Sequence, residues 1–357
     1  MPVVDARAEA MAQLAQEKLD RLAKPVGSLG RLEALAVRLC VAQTRCPPLV
    51  NNTRVIVFAA DHGIQEENVS PFPSSVTRAM VQTIVEGKAS VSCLAKIAGA
   101  RLEVVNVGVA GGTIITRNQQ AFVDYYDFCI SEGTKNICRE AAMTHAQLQL
   151  ALKTGRDSVD RALAKDGAYV VSVGELGICN SSIAAALACR LLGLPAEVLV
   201  GPGTGVDAEG RKRKVDAVHR ALARDASQAE HPLSCLQDLG GFEVAAMVGC
   251  FLQCYERKVV AVVDGFIASV AALVASKVNP LVENQFIFSS LSAEPGHRYV
   301  LQGFTRKQLP LLHWDLRLGE ASAATLCLPL IKASGRLLVE TATLEEVMVS
   351  AAGSKTR

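Results

Sequence analysis

Short Val- and Ile-rich segments alternate with helical segments along most of the chain, and this alternation is the strongest constraint on its fold. The Val- and Ile-rich segments read TRVIVFAA, RLEVVNVGV, AYVVSVG, AEVLVG, KVVAVVDG and NQFIFSSLS, and begin at residues 53, 101, 168, 196, 258 and 284. The helical patterns include residues 76–98, 180–192, 212–226, 241–256 and 267–277. Strands that alternate with helices in this way form a parallel sheet with helices on both faces. The sequence therefore predicts an α/β fold.

The two ends of the chain lack this alternation and predict helices only. Residues 5–45 read as two helices broken at KPVGSLG, where one proline and two glycines force a turn. From Gly319 onward the sequence is apolar nearly all the way round a helix, with a kink at Pro329, so both faces should be covered. We expect a small helical domain made of residues 1–48 and 313–357, and a sheet domain over residues 49–312.

Composition excludes several classes of function. The net charge of +2 gives no electrostatic case for binding nucleic acid or an acidic membrane surface. The longest apolar runs fall short of the roughly 18 residues that a membrane span needs. The 11 cysteines include no CxxC pair, and the N-terminal segment has no secretion signal. Cys250 and Cys254 fit core thiols better than metal ligands. A reduced, cytoplasmic location is expected.

The segments that follow the predicted strands indicate where a ligand binds. Ligands of open parallel sheets bind at the carboxyl ends of the strands. In this chain those ends carry DHG (61–63), GELGICNSS (174–182), GPGTG (201–205), DG (264–265) and SAEPGH (292–297). Small residues and a few polar groups should therefore converge on one edge of the sheet.

Two of these segments, GELGICNSS (174–182) and GPGTG (201–205), are glycine-rich turns that lead into helices. Backbone N–H groups at a helix N-terminus bind phosphate well, and Lys214 could add a positive charge. Either turn alone is equally compatible with tight helix–sheet packing. Two such turns in succession favour a phosphate site over packing alone.

The remaining polar groups allow more than one interpretation. Asp61 with His62 fit a loop that orders the sheet edge or touches ligand better than a metal site, because no ligand spacing accompanies them. Glu294 with His297 fit a loop-structuring role better than a catalytic one. Glu320, at the start of an apolar helix, is either a charge that suits the helix dipole or a general base in a cleft. The segment alone does not decide between these two roles.

Taken together, the motifs resemble the nicotinate-nucleotide–dimethylbenzimidazole phosphoribosyltransferases of cobamide lower-ligand synthesis. The resemblance covers nearly the whole chain in family order. It rests on KPVGSLGRLEALA, FAADHGI, VSPFPSSVT, GTKNI, AMT, GELGICNSS, GPGTGVD, LGGFEVAAMVG, VVDGF, SAEPGH and LRLGEASAA. Two positions depart from the family pattern: Ala321-Ser322-Ala323 replaces a glycine-rich sequence, and Cys179 stands where the family has glycine. The added Cβ atoms narrow these turns.

The resemblance implies a Rossmann-like sheet domain, a homodimer, and transfer of the phosphoribosyl group of nicotinate mononucleotide to 5,6-dimethylbenzimidazole with inversion. The implied reaction needs neither a metal nor another cofactor. Glu320 matches the general base, which favours that role over the helix-dipole one, and Glu175 matches the second important acid. The residues that match substrate-binding positions are Ser74, Gln82, Gly174, Gly177, Asn180, Ser181, Gly203, Thr204, Gly205, Lys214 and Leu318. Alternatives are a different acceptor base, or a binding-only relative that senses nicotinate mononucleotide.

Overall fold

The computed structural model describes residues 6–114, 118–224 and 231–353 and contains a six-stranded parallel sheet. The strands are β1 (Thr53–Ala60), β2 (Arg101–Gly108), β3 (Val123–Asp127), β4 (Val170–Leu176), β5 (Val260–Val263) and β6 (Phe286–Phe288). Their order across the sheet is β3-β2-β1-β4-β5-β6. This order is that of the Rossmann fold, in which the direction of winding reverses between β1 and β4. The predicted α/β class is confirmed.

Helices cover both faces of the sheet, as predicted. They are α1 (Ala6–Asp20), α2 (Arg31–Gln43), α3 (Ser75–Val85), α4 (Ser90–Ala98), α5 (His145–Asp166), α6 (Asn180–Leu192), α7 (Ala196–Leu199), α8 (Ala208–Ala223), α9 (Pro232–Leu239), α10 (Phe242–Arg257), α11 (Phe266–Val278), α12 (His297–Gln302), α13 (Ser322–Leu326), α14 (Leu328–Glu340) and α15 (Leu344–Gly353). Short 3₁₀ helices span Gly63–Glu67 and Pro280–Gln285.

Two apolar cores lie on opposite faces of the sheet. Alternate residues of β1 divide between them: Ile56 and Phe58 pack with α5, α6, α10 and α11, whereas Val55 and Val57 pack with α2, α4, α13 and α14. Because both faces are buried, the central strands are apolar throughout rather than alternating. The apolar strand runs in the sequence follow from this two-sided burial.

Helices from the first and last parts of the described chain pack against each other. Leu19 of α1, Cys40 of α2 and Leu338 of α14 share a third apolar cluster. The backbone N–H of Leu344 donates to the carbonyl of Arg21 at 2.9 Å, which ties the end of the chain to the segment after α1. Since α2 also packs in the second sheet core, this helical unit is continuous with the sheet.

Two sequence predictions about elements are wrong, and one strand was not predicted. The segment AEVLVG is not a strand: its first residues form α7, so the glycine-rich turn at 201–205 follows a helix. The helix predicted over 76–98 is two helices, α3 and α4, separated around Gly87 with its positive φ of 74°. The edge strand β3 was not predicted, because VDYYD is short, mostly half-exposed and without the regular apolar–polar alternation of a strand.

Residues Ser322–Glu340 form the one stretch in the described ranges that is apolar and long enough to cross a membrane. Within this stretch, 56% of the apolar segment is buried in the protein. The stretch is divided into the two helices α13 and α14. Buried core helices have the same composition, and these two belong to the second sheet core.

Candidate active site

The carboxyl ends of β1, β4 and β5 bring three acids to one edge of the sheet. Asp61 follows β1 directly, Glu175 is the next-to-last residue of β4, and Asp264 follows β5 directly. All three are buried. Glu320 joins them from the loop before α13 and is only 4% exposed. The predicted convergence of polar groups on this edge is therefore present.

Glu320 is attached to the end of β4 through its backbone. Its N–H donates to the carbonyl of Glu175 at 3.0 Å. A Cβ at Gly174 would lie 2.2 Å from the backbone nitrogen of Ala321, so only glycine allows the two segments to approach this closely. Asn180 donates through its side chain to Oε2 of Glu175. The two predicted catalytic acids thus share one cluster with Gly174 and Asn180.

The turn that carries Glu320 is unusual in its backbone. Gly319, Glu320 and Ala321 have φ angles of 83°, 59° and 57°, three left-handed residues in succession. This conformation costs a residue with a Cβ roughly 1–2 kcal/mol. Glu320 therefore lies before α13, in the turn, and is not in the helix's first turn as the sequence suggested. Such strain persists only where surrounding contacts hold it, as happens at functional sites.

Burial and mutual repulsion raise the pKa values of these acids. Burial, followed by the charge of Asp264, raises the pKa of Glu320 to about 7. Burial raises the pKa of Asp264 to about 6, although backbone N–H groups of Ala324, Gly265 and Ala323 oppose the rise. Burial and the neighbouring acids raise the pKa of Glu175 well above its usual range. Burial and the acidic neighbours thus favour the neutral form of Glu175, whereas Glu320, with a pKa of about 7, can change protonation near neutral pH.

The Oε2 atom of Glu320 is buried and has no hydrogen-bond partner among the residues that the structure describes. A buried acceptor without a partner is costly, so its presence here indicates a group that meets a ligand or water. A carboxylate with a pKa near 7 and a free oxygen has the properties of a general base.

A second cluster surrounds Lys214 of α8. Its Nζ donates to Oγ of Ser181 and to the carbonyl of Gly201, each at 3.0 Å. Lys214 is only 2% exposed, and burial lowers its pKa despite the opposing charge of Glu294. Ser181 is adjacent in sequence to Asn180 of the acid cluster, so the N-terminus of α6 joins the two clusters.

Gly203 connects the second cluster to two loops. Its N–H donates to Oε1 of Glu294 at 2.9 Å, and its carbonyl accepts from Nη1 of Arg317 at 2.8 Å. Arg317 lies three residues before Glu320. Thr204 and Gly205, next to Gly203, are exposed, and the Thr204 hydroxyl lies 3.4 Å from Oγ of Ser70. The glycine-rich turn is therefore linked to the loop that carries the acid.

The residues that match acceptor contacts lie on α3 and on the loop before Glu320. Ser74 is the N-cap of α3, one turn from Thr77, whose hydroxyl accepts the N–H of Ile178 at 3.1 Å. This bond places the start of α3 against the segment around Gly177. Gln82 donates to Glu86 at 2.9 Å, and Leu318 is 55% exposed. An exposed leucine two residues from a buried acid suits contact with an apolar ring.

The loop-structuring roles expected for two acid–histidine pairs agree with their contacts. Oδ2 of Asp61 accepts the N–H of Ala110 at 2.9 Å, and Nε2 of His62 lies 3.1 Å from Oε1 of Glu243. Burial lowers the pKa of His62, but Glu243 and Asp61 outweigh that effect and raise it.

In the second pair, Nδ1 of His297 accepts the N–H of Ser292 at 2.9 Å, and Nε2 faces Oγ of Ser269 at 2.9 Å. Burial lowers the pKa of His297 to about 3, so the ring is neutral and fixed. Within the described ranges no group of three or more His, Cys, Asp or Glu side chains has a metal-binding arrangement.

Sequence reasoning assigned no role to Asp264 or Glu243, both buried in the acid cluster. The sequence placed Asp264 in a segment at the ligand edge, directly after a strand, but the motif positions gave it no function. Glu243 offered a weaker signal as a lone acid in the apolar first turns of α10. Its proximity to Glu175 and His62 depends on the fold.

Comparison with known proteins finds similar proteins over nearly the full length of this chain. A family model described as phosphoribosyltransferase matches residues 4–349. The nicotinate-nucleotide–dimethylbenzimidazole phosphoribosyltransferase of Pseudomonas fluorescens SBW25 is 46% identical over 97% of this chain and 95% of its own length. That of Azotobacter vinelandii is 46% identical over 95% and 94%. The crystal structure of the Thermus thermophilus enzyme superimposes with a TM-score of 0.86 at 38% identity, over 97% of this chain and 99% of that one.

Proposed function

The chain belongs to the nicotinate-nucleotide–dimethylbenzimidazole phosphoribosyltransferase family, and from this premise we propose how its own residues perform the transfer. The enzyme moves the phosphoribosyl group of nicotinate mononucleotide to 5,6-dimethylbenzimidazole or a related base. The products are α-ribazole 5′-phosphate and nicotinate, and the reaction belongs to cobamide lower-ligand synthesis.

In this proposal, Glu320 is the general base. One ring nitrogen of the benzimidazole attacks the anomeric carbon, the bond to the pyridinium nitrogen breaks, and its electron pair neutralises that nitrogen in the nicotinate released. The other ring nitrogen must then lose its proton. The observation that carries this assignment is the buried, unpartnered Oε2 of Glu320, on a carboxyl group with a pKa of about 7. At neutral pH such a group is partly deprotonated and strong enough as a base to accept the proton.

The phosphate of the nucleotide is assigned to the cluster around Lys214. The Ser181 hydroxyl at the N-terminus of α6 and the carbonyl of Gly201 accept hydrogen bonds from the ammonium group, and Gly203, Thr204 and Gly205 follow in the same turn. A phosphate there would gain a charge-assisted hydrogen bond and the partial positive charge of the helix end. We assign Gly174, Gly177 and Asn180, at the end of β4 and before and at the start of α6, to contacts with the ribose.

The acceptor base is assigned to the space between α3 and the loop before Glu320. Leu318 offers exposed apolar surface, and Ser74 and Gln82 offer polar groups for the ring. Glu175, whose pKa is raised by burial and by its acidic neighbours, is assigned a hydrogen bond to the substrates.

Product analysis tests the function directly. The protein is incubated with nicotinate mononucleotide and, in parallel, with dimethylbenzimidazole, adenine, a phenol or no acceptor, and the products are identified by mass. We expect α-ribazole 5′-phosphate and an equal amount of nicotinate with dimethylbenzimidazole. Nucleotide binding without any product would indicate a sensor, and nicotinate release that does not depend on an acceptor would indicate a hydrolase.

We also propose a homodimer, a cytoplasmic location and the domain division given by the sequence. Exposed apolar side chains of α14 and α15, among them Val339 and Met348, support the dimer by offering an apolar surface. Light scattering of the purified protein tests the dimer, and cell fractionation tests the location. Limited proteolysis, with preferential cleavage near residues 48 and 312, would support the domain division.

A further inference from the structure

Asp264 contacts the segment that carries Glu320, although the proposed chemistry gives it no role. It follows β5 directly and is 3% exposed. Its Oδ1 accepts the backbone N–H of Ala324 at 3.0 Å. Ala324 belongs to α13, which begins two residues after Glu320. The carboxylate of Asp264 thus anchors the helix that continues from the Glu320 turn.

Hydrogen bonds on both sides fix the turn that carries Glu320. On the β4 side, the N–H of Glu320 donates to the carbonyl of Glu175 at 3.0 Å. On the β5 side, the bond from Ala324 to Asp264 fixes the start of α13. Between these two bonds the chain passes through the left-handed residues Glu320 and Ala321, a conformation that needs external support.

We propose that Asp264 is a positioning residue for the phosphoribosyl transfer: it fixes the turn that carries Glu320 and places a negative charge beside that carboxyl group. This inference rests on the proposed role of Glu320 as the general base. It assigns to Asp264 no contact with either substrate.

The groups around Glu320 define the expected electrostatic effect. Asp264 faces it from β5, Glu175 from β4, and Glu243 of α10 acts on Glu175. The Cys327 thiol after α13 also faces Asp264, and burial raises its pKa to about 12, so it stays neutral. Removing the negative charge of Asp264 favours the ionised form of Glu320 and lowers its pKa. A general base is active when ionised, so the acid limb of activity should move to lower pH.

Two substitutions separate the positioning effect of Asp264 from the effect of its charge. Asp264→Asn keeps an oxygen for the N–H of Ala324 but removes the charge, whereas Asp264→Ala removes both. For Asp264→Asn we expect the acid limb of kcat/KM to move down by about half a pH unit or more, with kcat reduced less than about tenfold. For Asp264→Ala we expect kcat to fall by about tenfold to a hundredfold, with little change in KM for the nucleotide.

Glu283→Gln is the matched control, because Glu283 is also a buried acid that accepts backbone N–H groups, here from Thr305 and Arg306, and it lies before β6, outside the acid cluster. The acid limb of this variant should coincide with the wild-type limb. An Asp264→Asn acid limb that coincides with those of wild type and Glu283→Gln would overturn the inference. So would a folded Asp264→Ala enzyme with wild-type kcat.

Infrared titration gives a readout that does not need activity. The band of the protonated Glu320 carboxyl is identified by its loss in Glu320→Gln and followed against pH in wild type and Asp264→Asn. We expect its midpoint to be lower in Asp264→Asn. If the wild-type protein makes no α-ribazole 5′-phosphate, the proposed function fails while this titration still tests the link between the two acids. An active enzyme whose Glu320 titrates identically in both proteins refutes only the inference.

Discussion

At the scale of single residues, Glu320 combines burial, a left-handed backbone and an unpartnered oxygen. Each feature alone destabilises the folded state. A side chain selected only for stability at this position would have none of them. Their coincidence at one carboxyl group argues for a chemical role. A charge beside the N-terminus of α13 is also favourable, but it is worth only about 0.3–1 kcal/mol and does not account for the left-handed backbone or the unpartnered oxygen.

Replacing Glu320 by glutamine tests this role with the smallest change of shape. Glutamine cannot accept the ring proton, and a positioned general base contributes about 10²–10⁴-fold to the rate. We expect Glu320→Gln to bind nicotinate mononucleotide with nearly wild-type affinity while kcat falls at least about a hundredfold. Calorimetry and steady-state kinetics measure the two quantities.

The control for this substitution is Glu283→Gln. Glu283 is equally buried but lies before β6, where it accepts the N–H groups of Thr305 and Arg306. It should lose stability while its folded fraction keeps the wild-type turnover. A soluble Glu320→Gln protein with near wild-type turnover would contradict the base assignment and make Glu175 the next group to test.

Ala321 allows a second test at this scale, because it stands in a left-handed conformation, with a φ of 57°, that glycine adopts more readily than alanine. Ala321→Gly relieves roughly 1–2 kcal/mol of backbone strain but adds about 0.4–1 kcal/mol of unfolded-state freedom. The expected result is an unchanged or slightly higher free energy of unfolding in urea. Ala324→Gly, at an equally buried but helical position, should instead lose about 1 kcal/mol. Equal losses in the two variants would show that the turn is not strained.

At the scale of elements, the N-terminus of α6 joins the acids to the proposed phosphate site. Asn180 contacts Glu175, and its neighbour Ser181 contacts Lys214. Arg317 makes a second connection, from the Glu320 loop to the carbonyl of Gly203. The nucleotide's phosphate and its reacting carbon would therefore be held by elements that contact each other directly.

Lys214→Ala measures the phosphate assignment when two substrates are compared. Loss of a charge-assisted hydrogen bond costs about 1.5–3 kcal/mol, so kcat/KM for nicotinate mononucleotide should fall by about tenfold to more than a hundredfold. Nicotinate riboside, which lacks the phosphate, should be a poor substrate for wild type and no poorer for the variant. Lys212→Ala removes the same charge from an exposed neighbour and should leave both values unchanged. Equal losses on nucleotide and riboside would place the phosphate elsewhere.

The sequence predicted those elements whose pattern follows from local burial. The central strands are apolar throughout because both faces are covered, and α6 begins and ends where its glycine signals place it. The segment AEVLVG was misread because a short apolar run between breakers fits a buried strand or a buried helix equally well. Pro195, just before the first helical residue, is the signal that favours the helix.

Only part of the candidate site could be predicted, because sequence patterns report local burial and not contacts between distant segments. Motif positions located Glu175, Lys214 and Glu320, but not the bond between Asp264 and Ala324, which joins residues 60 positions apart. The pKa of Glu320 likewise depends on burial by distant segments. Local sequence contains no information on either property.

At the scale of the whole molecule, ionisable groups at the two ends of the sheet have opposite arrangements. At the carboxyl ends, Glu175, Asp264 and Glu320 lie together, and burial, followed by the charges of neighbouring acids, raises the pKa values of Glu175 and Glu320. At the amino ends, Arg54 of β1 is fully buried and pairs with Glu103 of β2 at 2.8 Å. Repulsion between the acids at the carboxyl ends of the strands suits acid–base chemistry. Ion pairing at the amino ends stabilises the fold.

Substitution of Arg54 should therefore affect folding and leave catalysis intact. Asp124 and Asp166 also bind its guanidinium, so Arg54→Met leaves buried carboxylates with fewer partners. Breaking one side of a buried ion pair costs about 3–5 kcal/mol, and the lower part of that range is expected because Arg161 still contacts Glu103. Denaturant unfolding measures the loss. The kcat of the folded fraction should not change, since several residues of strand, at about 3.3 Å each, separate Arg54 from the acid cluster.

A double variant distinguishes an uncompensated charge from lost packing. In Arg54→Met with Glu103→Met, the buried charge that lost its partner is removed as well, and well-packed apolar residues often replace a buried ion pair at little cost. The double variant should therefore regain part of the stability that the single variant loses. Lys153→Ala, which removes one member of an exposed pair with Asp157, is the control and should unfold like wild type. If the double variant is less stable than Arg54→Met, Glu103 stabilises the fold through its remaining partner Arg161, and an uncompensated charge does not explain the loss in the single variant.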